Sequence, residues 1–368
     1  MNDGKEELDE LREAVRAFLA AKSPESAVRA AMETGYDLAA WDQMARQLRL
    51  PGLALPGDYG GDGFGLTELE VVLEEMGAAL LCSPFFATVV LAAQALLASG
   101  DEAACSRHLP GIAAGRTTAT LAAAEGNASW DPAMVTARAE RTPEGWVLTG
   151  TKSFVIDGAA ADLLLVVARS TAGPALFAVD RRAPGLCAEP MTTLDPTRPM
   201  AALTFDRTPA DLVGAEGQGG RLMSRVLDLA CVALAAEQAG GARRCLEMSA
   251  GYATTRYQFG RPIGSFQAVK HKCADMLVRV ELAEATAREA ARLCDEAAPE
   301  YPVAAATAHV ICSQAYMFAA AENIQVHGGI GFTWEHPAHL YFRRAKSSEL
   351  LFGGPAVYHE RLLDRLGI

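Results

Sequence analysis

The spacing of apolar residues changes period twice along the chain. Up to about residue 115, apolar side chains recur at helical spacing in four segments: LDELREAVRAFLAAK, YDLAAWDQMARQLRL, LTELEVVLEEMGAALL and ATVVLAAQALLAS. The Gly-, Pro- and Asp-rich stretch PGLALPGDYGGDGFG separates the second from the third and predicts a loop. We therefore predict an N-terminal helical domain over 1–115.

From 116 to 218 the segments become short, rich in Val, Thr and Phe, and divided by turn residues. This pattern predicts strands in TATLAAAE, MVTARAER, WVLTGTKSFVID, LLLVVARS, PALFAVD and AALTFD. Together they indicate a small antiparallel β domain, either a barrel or a sandwich.

Helical periodicity returns after the glycine-rich stretch VGAEGQGG. A long helix is expected from about Arg221 to Phe259, ended by Gly260 and Pro262, with Ser265 placed to cap the next helix. Two further helical segments follow. The predicted fold class is α+β: a helical domain (1–115), a β domain (116–218) and a C-terminal four-helix bundle (219–368).

Composition narrows the class of protein. Half of the 368 residues are hydrophobic, and no apolar run reaches the ~18 residues of a membrane span. The first residues, MNDGKEELDELREAV, are acidic and lack the apolar core of a signal peptide. We expect a soluble, cytoplasmic protein that does not bind membranes.

The net charge and the spacing of cysteines and histidines argue against nucleic-acid binding, disulfides and metal binding. The net charge of −12 argues against binding to nucleic acid. The eight cysteines are scattered without a C-x-x-C pair, and the seven histidines lack a spacing such as H-E-x-x-H. Neither a disulfide framework nor a metal site is expected.

Two C-terminal segments carry a specific resemblance. ATTRYQFGRPIGSFQAVKHKCADM and NIQVHGGIGFTWEHPAHLYFRRAK closely resemble the signature segments of acyl-CoA dehydrogenases, with weaker echoes in PGDYGGDGFG, WVLTGTKSFV and VGAEGQGGRLM. The resemblance spans nearly the whole chain in the family's order. The sequence is also similar to subunits of actinobacterial heterotetrameric steroid side-chain dehydrogenases. It implies the family's three-domain fold and assembly as a homo- or heterotetramer.

The resemblance also implies chemistry. Members of the family remove an α-proton and a β-hydride from an acyl-CoA substrate, with a glutamate as general base and FAD as hydride acceptor. An electron-transfer flavoprotein normally takes the electrons. The cofactor is therefore expected to be FAD, and the substrate an acyl-CoA thioester.

The resemblance implies that one set of residues contacts an FAD that is held mainly by a neighbouring chain. Arg256 would meet its pyrophosphate, Phe259 would pack on it and Gln267 would hydrogen-bond it. Residues at the adenosine end would be Gln325, Gly328 and Gly329. Taken singly, Arg256 could be a surface charge and the glycines a helix C-cap.

Contacts to the chain's own flavin are less complete. The family's T-E-P loop reads AAAEGNASWD here, so Ala124 stands in place of Thr, followed by Glu125. Phe154 occupies the aromatic position after the lysine of G-x-K, where many relatives have Trp. Ala123, Ala124 and Phe154 could still supply backbone donors and a ring.

The expected catalytic base is missing at both positions that the family uses. In LLFGGPA, Phe352 falls where Glu is expected and Gly354 where Thr is expected, while Glu349 would face another direction. On the long helix, the alternative position holds Ala230, followed by Cys231 in place of Arg.

Two other carboxylates lie on that helix. Asp228 matches a residue that helps to hold the CoA portion in relatives, although a solvated helix charge explains it equally well. Glu237 lies seven residues, or ~10 Å, beyond Ala230. We expect it to make a buried polar contact with another helix.

Three interpretations remain open at this level. The chain could be a working FAD-dependent acyl-CoA dehydrogenase with an unrecognised base. It could be a catalytically silent subunit that lends FAD contacts to its partner, since the residues lent across an interface are retained and those of its own site are lost. It could also be a flavin oxidase or monooxygenase of the same family.

Overall fold

The computed structural model describes residues 3–126 and 128–368. These residues form two compact units. Unit 1 comprises the chain up to Ala30, Leu66–Leu81 and Cys231–Ile368. Unit 2 comprises Ala31–Gly65 and Cys82–Ala230.

The helices and strands fall into three blocks along the chain. The helices are α1 Asp3–Lys22, α2 Glu25–Thr34, α3 Leu38–Gln47, α4 Leu66–Ala78, α5 Ala93–Ser99, α6 Glu102–Ala113, α7 Gly219–Thr255, α8 Gln267–Asp295, α9 Tyr301–His327, α10 Ala338–Leu350 and α11 Pro355–Leu366. The strands are β1 Ala119–Ala122, β2 Arg138–Thr142, β3 Gly145–Ile156, β4 Leu163–Ser170, β5 Gly173–Asp180, β6 Leu186–Met191, β7 Met200–Val213, β8 Tyr257–Gln258 and β9 Arg261–Pro262. The predicted α+β fold class, with helical regions on either side of a β domain in sequence, is confirmed.

The β domain of unit 2 is a closed barrel. Strands β4, β2, β3, β7 and β5 pair in that order, and β5 pairs back with β4. Inward side chains such as Leu164, Val166, Phe177, Leu203 and Phe205 fill its core. Most neighbours are antiparallel as expected, but β1 runs parallel to β4, and β2 and β4 share one parallel bridge. Strand β6 pairs with β7, off the closed path of the barrel.

Several elements were missing from the sequence prediction. Helices α2, α6 and α11, strand β6 and the hairpin of β8 and β9 were not predicted, so the described C-terminal region has five helices in place of the expected four. Strand β6, LCAEPM, has Glu189 and Pro190 in its second half and no fully buried residue, which suits an edge strand but weakens the sequence signal. Helix α6 contains Pro110, which reads as a helix breaker.

The end of the long helix also differs from the prediction. Helix α7 ends at Thr255, and α8 begins at Gln267 after an N-cap residue, Phe266, that makes no side-chain cap. The expectation that Ser265 caps α8 is therefore wrong. Ser265 lies in a preceding 3-10 turn, and its buried hydroxyl has no hydrogen-bond partner among the described residues.

Helix α9 is the central helix of unit 1. It contacts α8, α10 and α11, and its small residues Ala306, Ala315 and Ala319 are buried. Residues Tyr301–Phe332 are long and apolar enough to cross a membrane by length and composition. However, 61% of the apolar window is buried inside the protein, as is usual for a helix at the centre of a bundle.

Helix α4 carries a buried carboxyl group, Glu70, whose Oε1 atom has no hydrogen-bond partner among the described residues. Burial raises the pKa of Glu70 to about 7, although Arg12, Arg288 and Arg243 oppose this rise. The folded protein therefore holds this proton between pH ~4.5 and 7, where the unfolded chain releases it. The stability of the fold must fall as the pH rises through that window.

Replacing Glu70 with glutamine should remove this pH dependence. At pH 8 the Glu70→Gln variant is expected to be more stable than the wild type by about 2–3 kcal/mol, and at pH 4.5 the two should be nearly equal. Urea unfolding at both pH values measures the difference. Glu13→Gln, at an exposed position of α1, is the control. A Glu70→Gln effect of the same size at both pH values would contradict the interpretation.

Candidate functional site

The first group of predicted cofactor residues follows the end of α7 in unit 1. The backbone N–H of Arg256 donates to the carbonyl oxygen of Tyr252 at 2.9 Å, and the hairpin of β8 and β9 comes next. Phe259, at the tip of the hairpin, has φ 53° and is 91% exposed. Its ring lies edge-on to Phe266 at 6.1 Å. Gln267 begins α8 and is exposed.

The second group lies at the C-terminal end of α9. Gln325 is exposed in the last turn, and Gly328 caps the helix with φ 67°. A side chain built on Gly328 or Gly329 would meet nothing within 4 Å, so the backbone at both positions is open to a ligand. The structure brings the two groups together through the stacked rings of Tyr252 and His327, whose centroids are 4.3 Å apart.

These residues are compatible with a dinucleotide that carries a pyrophosphate. The guanidinium of Arg256 is exposed, and no ion pair joins it to another side chain in the described part of the chain. Together with the open backbone at Gly328 and Gly329, it can meet a diphosphate without displacing an existing partner. The side chain of Phe259 has almost no cover of its own and offers a ring to a planar group.

The third group, Ala123, Ala124 and Phe154, lies in unit 2. The carbonyl oxygens of Ala123 and Ala124 are already hydrogen-bonded, to Lys152 Nζ at 3.0 Å and to the N–H of Ser153 at 2.9 Å. Phe154 has φ 57°, is half-buried and donates its N–H to the sulfur of Met191 at 3.4 Å. Each of those carbonyls already accepts one hydrogen bond, and because Ala124 has no hydroxyl, this position can offer a cofactor only backbone groups.

A buried ion pair holds this loop in place. Lys152 is fully buried, and its Nζ donates to Glu125 Oε1 at 2.8 Å. The Glu125 carboxylate also accepts the N–H groups of Thr136 and Ala137 at 2.9 Å and the hydroxyl of Thr136. Although burial raises the pKa of Glu125, these hydrogen bonds and Lys152 lower it to about 2. Glu125 is therefore a structural anion and unsuited to be a base.

Sequence reasoning did not find the role of Lys152, although a signal was present. In strand β3, the side chains of Leu148 and Lys152 lie an even number of residues apart and both point inward. A lysine at an inward strand position requires a buried partner, because an unpaired buried charge is strongly unfavourable.

In the C-terminal segment, the apolar side chain of Phe352 occupies the position where the catalytic base is expected. Phe352 is 1% exposed and has φ 65°, a left-handed conformation that costs about 1–2 kcal/mol for a residue with a side chain. Next to it, Gly353 has φ 114° and its carbonyl accepts a hydrogen bond from His309 Nε2 at 3.2 Å. Burial lowers the pKa of His309 to about 4, so the imidazole is neutral at pH 7.

The alternative base position on α7 is equally apolar. Ala230 is completely buried. Cys231, which follows it, is buried in unit 1 and its thiol donates to the hydroxyl oxygen of Tyr358 at 2.8 Å. Arg361 donates to the same oxygen at 3.0 Å, and the His309 ring lies 4.1 Å from that of Tyr358. Where relatives carry an arginine, this chain has a thiol that is hydrogen-bonded to a phenol.

The neighbouring carboxylates have other partners. Glu349 pairs with Lys346 three residues earlier on α10. Glu237 pairs with Arg344 of α10 at 2.7 Å, with both side chains almost fully buried. This confirms the expectation that Glu237 makes a buried polar contact with another helix. Asp228 is 6% exposed and also has an interaction partner, so a freely solvated charge at this position is ruled out.

The barrel lies between two helical blocks in the sequence, and the two signature segments are exposed on unit 1. The chain belongs to the acyl-CoA dehydrogenase family of flavoproteins. Models of the three family domains match it consecutively: the N-terminal domain over 5–116, the middle domain over 120–208 and the C-terminal domain over 217–367. The family is one of FAD-binding oxidoreductases.

Similar proteins include acyl-CoA dehydrogenases of actinobacteria. The chain is 37% identical over 359 residues to the acyl-CoA dehydrogenase IpdE2 of Mycobacterium tuberculosis, covering 97% of this chain and 96% of that protein. It is similar to a chain of a variant of the Tcur3481-Tcur3483 steroid acyl-CoA dehydrogenase, with a TM-score of 0.89, 33% identity and coverage of 99% and 98%. A chain of the ChsE4-ChsE5 complex from Mycobacterium tuberculosis matches with a TM-score of 0.89, 30% identity and coverage of 98% and 97%.

Proposed function

We propose that this chain is the catalytically silent subunit of a heterotetrameric acyl-CoA dehydrogenase, in which it completes the FAD site of a partner chain that supplies the base. One observation carries the proposal. The residues that would be lent to a partner's cofactor are present and exposed, whereas both positions for the base hold buried apolar side chains, Phe352 and Ala230.

Three carboxylates considered near the expected site do not restore a base. A general base needs a carboxylate that is free to approach the substrate and take its proton. Glu237 and Glu349 are held by Arg344 and Lys346, and Glu125 is held by Lys152 with a pKa near 2. These pairings argue against a working dehydrogenase with an unrecognised base in this chain.

The missing contacts to the chain's own flavin also argue against an oxidase. An oxidase of this fold would need its own flavin contacts even if it used no glutamate base. Here the loop at Ala124 lacks the hydroxyl that relatives use, and Cys231 stands in place of an arginine. The similarity to chains of two-component assemblies, Tcur3481-Tcur3483 and ChsE4-ChsE5, supports a heteromeric partner.

The contribution of this chain to the reaction is binding and orientation. FAD, when bound, supplies the hydride acceptor for α,β-dehydrogenation of an acyl-CoA thioester. Arg256 would neutralise its diphosphate charge, Gln267 and Gln325 would hydrogen-bond it, and Phe259 would cover its planar surface. The backbone of the two glycines after α9 would allow close approach. The complex would pass the electrons to an electron-transfer flavoprotein.

The substrate of the complex is proposed from the same relatives. IpdE2 and the Tcur3481-Tcur3483 chain match this chain over nearly their whole length. The Tcur3481-Tcur3483 protein is a steroid acyl-CoA dehydrogenase. We infer an acyl-CoA derived from steroid breakdown as the substrate. Asp228, near the start of α7, would help to hold the CoA portion.

The test compares the chain alone with the chain co-expressed with a candidate partner, an acyl-CoA dehydrogenase chain that has the catalytic glutamate. Alone, the purified chain should show little flavin absorbance. Together, the two should form a yellow complex that reduces an artificial electron acceptor with a steroid acyl-CoA. A yellow homotetramer of this chain alone that oxidises an acyl-CoA would refute the proposal, and release of hydrogen peroxide during turnover would indicate an oxidase.

A further inference from the structure

Three aromatic side chains join the two cofactor-lending segments of unit 1. The ring of His327 stacks on Tyr252, with centroids 4.3 Å apart and planes at 30°. The same ring also lies 4.2 Å from that of His336, with planes at 41°. We call Tyr252, His327 and His336 the ring stack. Tyr252 lies on α7, His327 ends α9, and His336 lies in the loop that leads to α10.

Each ring is connected to a segment that would face the cofactor. The carbonyl oxygen of Tyr252 accepts the N–H of Arg256, and the carbonyl of Arg256 accepts the N–H of Ile263, which fixes the hairpin that carries Phe259. His327 directly precedes the glycine pair, Gly328 and Gly329. The distance between the hairpin and the glycine pair is therefore set where Tyr252 and His327 meet.

The stack rests on a buried polar support. Nδ1–H of His327 donates to the carbonyl oxygen of Asn323 at 2.8 Å, and the Asn323 side-chain oxygen accepts the hydroxyl of Ser249 at 3.0 Å. Asn323 and Ser249 are completely buried. This support ties α9 to α7 one turn below the stack, and it fixes which nitrogen of His327 carries the proton.

We propose that the ring stack is an acid-sensitive joint that positions the hairpin and the glycine pair relative to each other. Its members are positioning residues, since none of them is among the predicted cofactor contacts. The purpose of the joint rests on the proposed function, in which both segments complete a partner's FAD site. Its acid sensitivity follows from the hydrogen bond that His336 accepts and from the close packing of the two imidazoles.

Both imidazoles are arranged to be neutral. His336 accepts the N–H of Ala338 at its Nδ1, at 3.2 Å, so its own proton lies on Nε2. A second proton could bind only at Nδ1, where it would replace the acceptor of the first N–H of α10. For His327 the second proton would bind at Nε2, in a ring that lies between an aromatic face and another imidazole. Protonation of His336 therefore breaks its hydrogen bond with Ala338, and protonation of both rings would place two positive charges against each other.

The groups around the two imidazoles act on their pKa values in both directions, and the hydrogen bond to Asn323 raises that of His327. Burial is the main cause that lowers the pKa of His327 and that of His336, and the neighbouring His327 lowers the pKa of His336 further. From α2, Glu25 raises the pKa of His336 and Arg29 lowers it. On α10, the pKa of His339 is also lowered by burial, by Arg343 and by Arg29.

The sign of the pH dependence follows. A histidine whose pKa is lower in the folded state favours folding while it is neutral, above its ordinary pKa near 6.5. Below that value the unfolded or opened segment binds more protons, and the joint loosens as the pH falls toward the depressed pKa values. The hairpin and the glycine pair should therefore lose protection together.

The first experiment uses the purified chain alone, so that it does not depend on FAD. NMR titration of isotope-labelled histidines measures the pKa values, and hydrogen exchange, expressed as protection factors, follows 253–267 and 323–339 between pH 7 and 5. Protection of both segments should fall together in the wild type. In Tyr252→Leu both should be poorly protected already at pH 7. In His336→Asn, whose amide oxygen still accepts from Ala338 but cannot titrate, the transition should move to lower pH.

The matched control is His108→Asn. His108 lies in unit 2, and burial lowers its pKa as well. This variant should leave the transition of both segments unchanged. If the two segments lose protection at different pH values, or if His336→Asn and His108→Asn behave alike, the joint does not exist as proposed.

The second experiment measures FAD retention by the co-expressed complex after gel filtration at each pH. In the wild type, FAD retention should be weaker at pH 5 than at pH 7, and His336→Asn should recover most of the loss. A complex that retains FAD equally in wild type and Tyr252→Leu would overturn the proposal. If no FAD complex forms but the segments of the chain alone still loosen together, the joint stands and the proposed function fails.

Discussion

Replacing Lys152 with methionine should destabilise the protein by about 3–5 kcal/mol, the cost of breaking a buried ion pair by removing one partner. Lys152 is completely buried between Glu125 Oε1 at 2.8 Å and the carbonyl of Ala123 at 3.0 Å. Its loss leaves the Glu125 charge without a counter-charge and the loop of Ala123 and Ala124 without its support. Urea unfolding followed by circular dichroism measures the effect.

The pH dependence of the stability loss in Lys152→Met identifies its cause. Glu125 has a pKa lowered to about 2, so its contribution to stability is present above ~4.5 and is lost as the pH falls toward 2. In Lys152→Met the deficit should shrink at acidic pH, because a protonated Glu125 no longer needs its partner. The double variant Lys152→Met/Glu125→Gln should recover part of the stability at pH 7. A deficit that is independent of pH and of Glu125 would show that lost packing alone is responsible.

Replacing Arg256 with alanine should remove FAD from the complex while the chain itself stays folded. A charge-assisted hydrogen bond to a phosphate contributes about 1.5–3 kcal/mol, so FAD retention should weaken roughly 10–100-fold. The side chain is exposed and has no ion pair among the described residues, so the thermal unfolding of the chain alone should not change. Flavin absorbance of the co-purified complex measures the loss.

The control for Arg256 is Arg244→Ala, on the helix that precedes it. Arg244 forms an (i, i+3) ion pair with Glu247 at 3.0 Å between partly exposed side chains, an interaction of small energy. This variant should keep its FAD. Arg256→Lys should show an intermediate loss, because it keeps the charge but not the paired donors of guanidinium. Equal retention in all three variants would contradict the role assigned to Arg256.

The fold could be predicted from sequence where the local pattern matched the local structure. The helical period of LDELREAVRAFLAAK and the alternation in WVLTGTKSFV specify α1 and β3, because amphipathic period and burial coincide there. Strand β6 and helix α6 escaped prediction, since Pro190 and Pro110 occur at an edge and in a helix where tertiary contacts outweigh local preference. The cap at Ser265 failed because a 3-10 turn takes up that residue.

For the candidate site, the sequence alone determined the family resemblance, the residues that would be lent to a partner's FAD and the absence of glutamate at Phe352 and Ala230. These are matters of residue identity at fixed spacing, which a linear pattern records. Only the tertiary structure decided which groups pair: Lys152 with Glu125, Arg344 with Glu237, and Cys231 with Tyr358. Such pairs join residues up to 127 positions apart, and they depend on how strands and helices pack. The ring stack was beyond prediction for the same reason.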